Sequence, residues 1–591
     1  MRFEPFNRFI LVASLLGLAF PFACGSQVRR FPLAAPRWED ADRRRLEQMP
    51  GEYYSGLIAD GADKVFFRPL ARLPYFPLSE RARNVNAMDE VPNSSWFQNR
   101  IGFHPITPER AAKGACGDQP SLDPQAPWTV VAAKPNGANP GFFIQAESGR
   151  YLLKFDGQVQ PLRATSADVI GSKIYWTVGY HAPCNEIVYF KRDILRFAED
   201  AEAEDEYGNK QPISEADIDK VLAAAYRLKD GTLRASASRF LPGRPLGPFR
   251  YEDTRADDPN DHIPHQHRRE LRGNKILSAW LNHHDAREQN TLDLWIEEEK
   301  ASYIRHYMID FGDCFGGRWE WDALSRRLGH SYVLDWEHFP VDYLTLGIWP
   351  RPWYGMEHNP EVEIFGYYSD RDFVASAWKT SYPNAAFIES QHDDELWMAR
   401  IISRFSDEHI RAIVAAGRLE NPRYERYLVE TLIKRRDLIL REYFTQYAPL
   451  DRFRLVRRQP GDLTQSLCFE DLAIKHGIVD PRLNTYKIKS YGGSELDRRL
   501  GWLQFQPDPD HSHRSCITLP VGDKRPASLA PRGARDDHPL RYGVMKVWIH
   551  QRPGIKPTSA IHLYFYDLGP RRGYRLVGIE RPDRPVTPDI Y

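Results

Sequence analysis

Residues Asn282–Gly312 read NHHDAREQNTLDLWIEEEKASYIRHYMIDFG, and three of them, Asp285, Asn290 and Asp310, frame the reading of the whole chain. TLDLWI and SYIRHYMI are short apolar runs, rich in β-branched and aromatic residues, joined by the charged EEEKA. That pattern predicts a hairpin with a polar turn. A hairpin returns the chain to its starting level, so Asn290 at one end and Asp310 at the other stand side by side. A carboxylate and an amide oxygen are hard ligands of the kind Mg²⁺ prefers.

Upstream, from about residue 127, WTVVAA, GFFIQA and RYLLKFD are three strand-like runs split by KPNGANPG and ESG, a meander with tight turns. SADVIGSKIYWTVGY follows with Val169, Ile170, Ile174 and Val178 at helical spacing and Gly179 as the stop. EIVYFKR and LRASASRF read as further strands, DIDKVLAAAYRL as a helix. AEDAEAEDEYGNKQPISEAD is expected to be a solvated insertion, because so many like charges resist burial. Downstream, DELWMARIISRFSDEHIRAIVAAG and YERYLVETLIKRRDLILREYFTQY carry long 3.6-residue periods and predict a helical block to about 447. RLVRRQ, VMKVWIHQ, AIHLYFYDL and YRLVGIE predict a β-rich C-terminal module. The fold class expected is α+β.

Strands with a helix inserted, then a helical block, is the order of a two-lobed kinase, and the residues match as well. His283-His284-Asp285-Ala286-Arg287-Glu288-Gln289-Asn290 fits H-R-D-L-x-x-x-N, Asp310-Phe311-Gly312 fits D-F-G, and Lys154 in YLLKF fits the strand lysine. Over roughly 127–447 the chain resembles the protein-kinase-like superfamily, and within it the atypical branch of persistence-toxin, spore-coat and secretory-pathway kinases. The resemblance implies a two-lobed kinase-like fold that binds ATP with Mg²⁺ and moves the γ-phosphoryl group to a hydroxyl of a protein or small-molecule acceptor.

Residue by residue, the resemblance implies that Asp285 receives or orients the proton of that hydroxyl and that Arg287 faces the transferred phosphate. Lys154 would hold the α- and β-phosphates, paired with Asp168 or, alternatively, Glu186. Gly137 and Gly141 of KPNGANPG would cover the nucleotide, and Asn290 and Asp310 would hold the metal. Departures accompany the matches: G-x-G-x-x-G is missing, His284 replaces the Arg of H-R-D, and no A-P-E follows Asp310. The usual phosphorylated activation segment is therefore not expected. The competing functions are a nucleotide-binding pseudokinase and a structural or interaction lipoprotein of the cell envelope.

Composition bounds these options. Lys and Arg total 80, as do Asp and Glu, so the formal net charge is zero and no basic field invites nucleic acid. At 591 residues the chain exceeds one ordinary core, and its 42% hydrophobic content suffices to build several. Arg2 and Arg8 precede FILVASLLGLAFPFA, about 15 apolar residues ending at Cys24, which reads as an export signal rather than a span. The expected organisation is a signal peptide at 1–23, an extension at 24–126 that packs across a larger domain, an N-lobe at 127–250, a C-lobe at 251–447 and the β-rich module at 452–591. Cys24 reads as the site of a lipid anchor, making the protein exported and membrane-tethered in the cell envelope.

The other cysteines, Cys116, Cys184, Cys314, Cys468 and Cys516, form no C-x-x-C pair and are expected as isolated residues, not a disulfide framework. His262, His265, His267, His511 and His513 are expected to be exposed loop residues instead of a transition-metal site.

Overall fold

The computed structural model describes residues 29–581 apart from 54–60, 69–79, 134–140, 205–209, 300, 320, 458–464, 508–512, 520–529, 532, 551–558 and 570. The expected leader, Cys24, Gly137 and His511 lie outside the described residues. The chain is mixed α+β with several separate sheets.

Seven strands form the first sheet: β1 (Trp128–Ala133), β2 (Gly141–Ala146), β3 (Gly149–Phe155), β4 (Asn185–Phe190), β5 (Leu195–Glu204), β6 (Lys210–Pro212) and β7 (Leu233–Arg239). Their spatial order is β4-β7-β3-β2-β1-β5-β6, antiparallel except where β1 meets β5. α1 (Arg163–Val178) and α2 (Glu215–Ala224) cover opposite faces. Ile218 and Leu222 of α2 close a core with Phe142, Leu153 and Phe190. Ala167, Ile170 and Ile174 of α1 belong to the larger core shared with the helices beyond. Gly179 ends α1 at φ +147°, where a Cβ would stand 2.2 Å from the Phe97 ring, so both backbone and space require glycine.

A three-stranded sheet of β8 (Arg244–Gly247), β9 (Thr291–Glu298) and β10 (Ala301–Met308) contains the predicted hairpin, with Thr291 opposite Met308 and Glu298 opposite Ala301. Around it lie α3 (Arg269–Leu281), the short α4 (Phe339–Leu344), α5 (His392–Ile402), α6 (Asp407–Ala416) and α7 (Pro422–Gln446). Trp280, Trp397, Leu428 and Leu432 fill their common core, and the Trp280 indole donates to the Leu432 carbonyl at 2.9 Å. The one long period predicted over 394–417 breaks into α5 and α6, because the Ser406 hydroxyl caps a new helix.

The remaining strands are β11 (Leu450–Val456), β12 (Gln465–Asp471), β13 (Thr485–Gly492), β14 (Arg498–Phe505), β15 (Arg514–Leu519), β16 (Tyr542–His550), β17 (Ile561–Asp567) and β18 (Tyr574–Glu580). They make two antiparallel sheets, β11-β12-β15 and β14-β13-β16-β17-β18, over a shared core that includes Leu467, Phe469, Ile488, Val547 and Leu563.

The segment before residue 126 is built into these units. Trp96 stacks on His306 with centroids 3.4 Å apart and lies under the Arg268 guanidinium, while Phe31 packs on Gly578 of β18. Arg269 of α3 meets Asp89 of this segment at 2.7 Å and Asp393 and Asp394 of α5 at 2.8 and 3.0 Å. Asp89 also meets Arg581 beyond β18 at 2.9 Å, and Glu90 pairs with Arg400. One buried ionic network thus joins the extension, two helices and the C-terminal strands.

Three expectations are corrected. Residues 198–204, the start of the stretch read as a solvated insertion, belong to β5 (Leu195–Glu204): Ala201 points inward while Glu199, Asp200 and Glu202 stay in water, so the sheet margin takes the backbone without burying charge. His265 and His267 are buried, not exposed, His265 bonding Asp261 at 2.7 Å; a loop closed by its own ion pairs takes its histidines inside. Four cysteines form the disulfides Cys116–Cys184 and Cys468–Cys516, leaving buried Cys314 as the free one among the described residues. Sequence separations of 68 and 48 hid these pairs, although Cys468 and Cys516 face each other directly in the β12–β15 register.

Losing the Cys116–Cys184 link, which ties the extension to the start of β4, is expected to cost about 2–4 kcal/mol by freeing a long loop in the unfolded chain. A Cys116→Ser/Cys184→Ser variant should melt several degrees lower under non-reducing conditions. An unchanged melting temperature would show that the bridge constrains nothing.

Candidate active site

Strand register decides which polar groups meet. Lys154 of β3 lies opposite Ser236 of β7, which lies opposite Ile187 of β4, so these side chains share the face covered by α1. There Asp168 of α1 accepts from the Lys154 ammonium at 3.3 Å, the Ser236 hydroxyl at 3.1 Å and the Phe311 backbone N–H at 3.2 Å. Asp168 is fully buried, and three donors compensate its charge. Glu186, the alternative partner, shares the opposite face with Ala237 and Leu153 and accepts from Ser121 at 2.9 Å. Side chains alternate along a strand, so a one-residue offset excludes it. Gly141 begins β2 directly opposite Lys154, where no side chain of its own crowds the ammonium.

Lys154 also reaches Asp310 Oδ1 at 3.0 Å, 156 residues away. Burial opposes charge on this lysine, but the Asp168 and Asp310 carboxylates outweigh it and hold its pKa above the ordinary value. Asp310 takes φ +54°, a left-handed conformation that aspartate tolerates better than most residues. The turn sends Phe311 into the core against Tyr175, with ring centroids 4.7 Å apart, and against Gly171, where a Cβ would come within 2.5 Å of Phe311 Cβ. Gly171 therefore lets α1 approach closely enough for Asp168 to serve both Lys154 and the backbone after Asp310.

The second half of the site follows α3, which ends on Asn282 at φ +50°. His283 Nδ1 lies 2.9 Å from the Tyr175 hydroxyl and His284 Nδ1 2.9 Å from Ser381 Oγ. Burial pushes both imidazoles down to about 4, so they are neutral. The Asn290 amide N–H₂ donates to the Asp285 carbonyl at 2.7 Å and its carboxylate at 2.9 Å, and the Asn290 carbonyl accepts from Ile309 N–H at 3.0 Å. The hairpin therefore sets Asn290 beside the residue preceding Asp310. Burial pushes Asp285 up to about 7; Arg287 and Asn290 oppose this, while Asp313 and Asp310 add to it. Arg287 is engaged, its Nε 2.9 Å from Asp285 and its guanidinium over the Tyr382 ring.

Asp313 and Arg163 are parts of the site that sequence reading passed over. Arg163 donates to the carbonyls of Gly312 at 2.7 Å and Cys314 at 3.0 Å, and Asp313 Oδ1, His284 Nε2 and Arg163 all approach the position a Gly317 Cβ would occupy. An acid three residues past Asp310 was visible, but nothing local separates a site carboxylate from an ordinary turn aspartate. Gln160 pins the same segment through the carbonyls of Gly316 and Ile364 and the Arg318 N–H.

The donor set suits one class of metal. With its amide nitrogen committed to Asp285, Asn290 could offer its amide oxygen to a metal, and the hairpin sets its backbone beside Ile309, the residue before Asp310. Among the described residues no three His, Cys, Asp or Glu ligand atoms lie within 4.8 Å of one another here; the one such trio, Cys116, Cys184 and Glu186, contains a disulfide. Sparse hard oxygens fit Mg²⁺, which completes its shell with phosphate oxygens and water, and do not fit zinc. No protein-family model, no curated protein and no solved structure matches this chain.

Proposed function

We propose that the protein is an exported, lipid-anchored atypical kinase that binds ATP with Mg²⁺ and transfers the γ-phosphoryl group to a hydroxyl. Residues 127–250 and 251–447 act as the two lobes, with the site in the cleft between them. The observation that carries the proposal is Lys154 bridging Asp168 and Asp310 beside the Asp285–Asn290 pair: an amine, three carboxylates and an amide brought together from four segments.

Each residue has a physical role in that chemistry. Lys154 presents positive charge to the nucleotide phosphates, and Asp168 fixes its direction. Asp310 and Asn290 hold the metal, which supplies charge neutralisation for the transferred group. Asp285 takes the acceptor's proton; a carboxyl pushed up to about 7 is matched to that task near neutral pH. Arg287 neutralises charge at the same end of the cleft. Two disulfides support export, since such bonds persist in oxidising compartments.

A second reading is nucleotide binding without turnover, favoured by one contact: Asp310 is already bonded to Lys154. Thermal denaturation separates binding from its absence. Millimolar ATP with Mg²⁺ is expected to raise the melting temperature by at least about 2 °C, and Asp310→Ala should lose the Mg²⁺-dependent part. No shift in the parent protein rules out both readings; a shift without phosphate transfer to any hydroxyl leaves the second.

A further inference from the structure

Outside the cleft, the segment between β10 and α5 exposes a surface that phosphoryl transfer does not use. From Tyr343 to Pro350 the chain reads YLTLGIWP, without a charged side chain. Asp342 and Arg351, at either end, pair with each other and close the loop at its base. Leu344, Leu346 and Ile348 are 78%, 85% and 80% exposed at the tip. Leu346 holds φ +53°, a strained conformation for a branched aliphatic residue, and its side chain stands in solvent.

A run of contacts links this tip to the Asp285–Asn290 loop. Lys64 donates to Gln289 at 3.1 Å and Arg68 to Glu288 at 3.0 Å, which fixes residues 61–68 beside the Asp285–Asn290 loop. Phe66 of that segment meets Trp336 edge-on at 6.2 Å, and Trp336 meets Phe339 of α4 at 6.0 Å. Phe66, Phe339, Tyr343 and Trp349 are exposed as well, and such a concentration of large apolar side chains marks an interaction surface rather than the scattered apolar residues of an ordinary monomer.

The occupant must be apolar and non-directional. Thr345, the tip's one aliphatic hydroxyl, donates inward to the Val341 carbonyl at 2.7 Å and offers nothing outward. Exposed Tyr343 and Trp349 flank the exposed Leu344, Leu346 and Ile348 in the chain, an aliphatic tip bordered by the aromatic residues favoured at a bilayer interface. The anchor read at Cys24 would hold the chain at the same kind of surface. We infer that residues 343–350 insert into a lipid bilayer and that the acceptor in the adjoining cleft is a lipid-headgroup hydroxyl. The acceptor half of this inference presupposes the phosphoryl transfer proposed above. In that step the bond from the γ-phosphorus to its bridging oxygen breaks and one to the headgroup oxygen forms. The hydroxyl proton passes to Asp285 and the nucleoside diphosphate leaves.

The test uses the mature chain with Cys24→Ser, which has no acyl anchor, and vesicles of phosphatidylglycerol and glycosyl diacylglycerol, whose headgroups carry hydroxyls. The protein should float with the vesicles, and Leu344→Asp/Leu346→Asp/Ile348→Asp should float at least tenfold less with an unchanged melting temperature. With ATP and Mg²⁺, phosphate should enter the chloroform-soluble fraction for the parent and fall at least tenfold for the triple variant. Equal flotation of both proteins overturns the insertion, as does self-association that the triple variant abolishes without any vesicle binding. Transfer confined to soluble hydroxyls overturns the lipid acceptor. The nucleotide-dependent melting shift, read in parallel, distinguishes these failures from failure of the kinase proposal itself.

Discussion

Replacing Asp285 with alanine is expected to slow phosphoryl transfer by about a hundred- to ten-thousandfold, the usual contribution of a positioned proton acceptor, while the ATP-dependent rise in melting temperature survives. Lys154 bonds Asp168 and Asp310 rather than Asp285, so its hold on the nucleotide phosphates persists. Retained transfer would remove Asp285 from its role. The same carboxyl makes a second expectation measurable. Its folded pKa, pushed up to about 7 by burial, lies above the roughly 3.9 of an unfolded aspartate. The folded state therefore keeps a proton that the unfolded chain releases between about pH 4 and 7, and stability is lost as pH rises through that window. Asp285→Asn removes the titration. Without nucleotide or divalent ion, the variant should gain on the order of 2–3 kcal/mol relative to the parent between pH 5 and pH 8. A constant difference across that range would show that Asp285 is not buried among like charges.

Arg269→Met is expected to cost about 3–5 kcal/mol, the largest stability loss of any single change considered. The guanidinium is fully buried, and it alone contacts Asp89, Asp393 and Asp394 at 3.0 Å or less from one point. Removing it leaves carboxylates in the interior with insufficient counter-charge. Arg272 still reaches Asp394 at 3.3 Å and Arg581 still reaches Asp89, so the loss stays finite. Because the orphaned carboxylates would take up protons in the folded state, the deficit should shrink as pH falls toward 5. Chemical denaturation at pH 8 and pH 5 measures both effects. A loss below about 1 kcal/mol at pH 8 would mean that the extension, the helices and the C-terminal strands are held together by apolar packing alone.

How far the site could be read in advance differs residue by residue. Asn290 and Asp310 were brought together by hairpin logic, since two short apolar runs around a charged turn can return the chain in only one way. The choice between Asp168 and Glu186 stayed open, because the deciding fact is the pairing of β3 with β7 and of β7 with β4, which no local pattern contains. Asp313 and Arg163 were missed for a related reason: their roles come from contacts with chain segments far off in sequence. The cysteine pairs are hidden by separations of 68 and 48 residues, whereas His265 and His267 look exposed from their polar neighbours, although a loop whose charges pair internally is free to bury its polar groups.

What the sequence determined by itself was part of the series of elements: the strand runs within 128–155, 185–190 and 233–239, the helix stopped at Gly179, the hairpin over Thr291–Met308 and the helical block that ends at Gln446. These follow from periodicity and turn chemistry, which act between near neighbours. Only the tertiary structure decided which face of β3 carries Lys154, which acid it meets, how far Asp285 is lifted and which cysteines pair. Each of these is a sum over groups tens to hundreds of residues apart, and the chain acquires them only when its strands have taken their register and excluded water from between them.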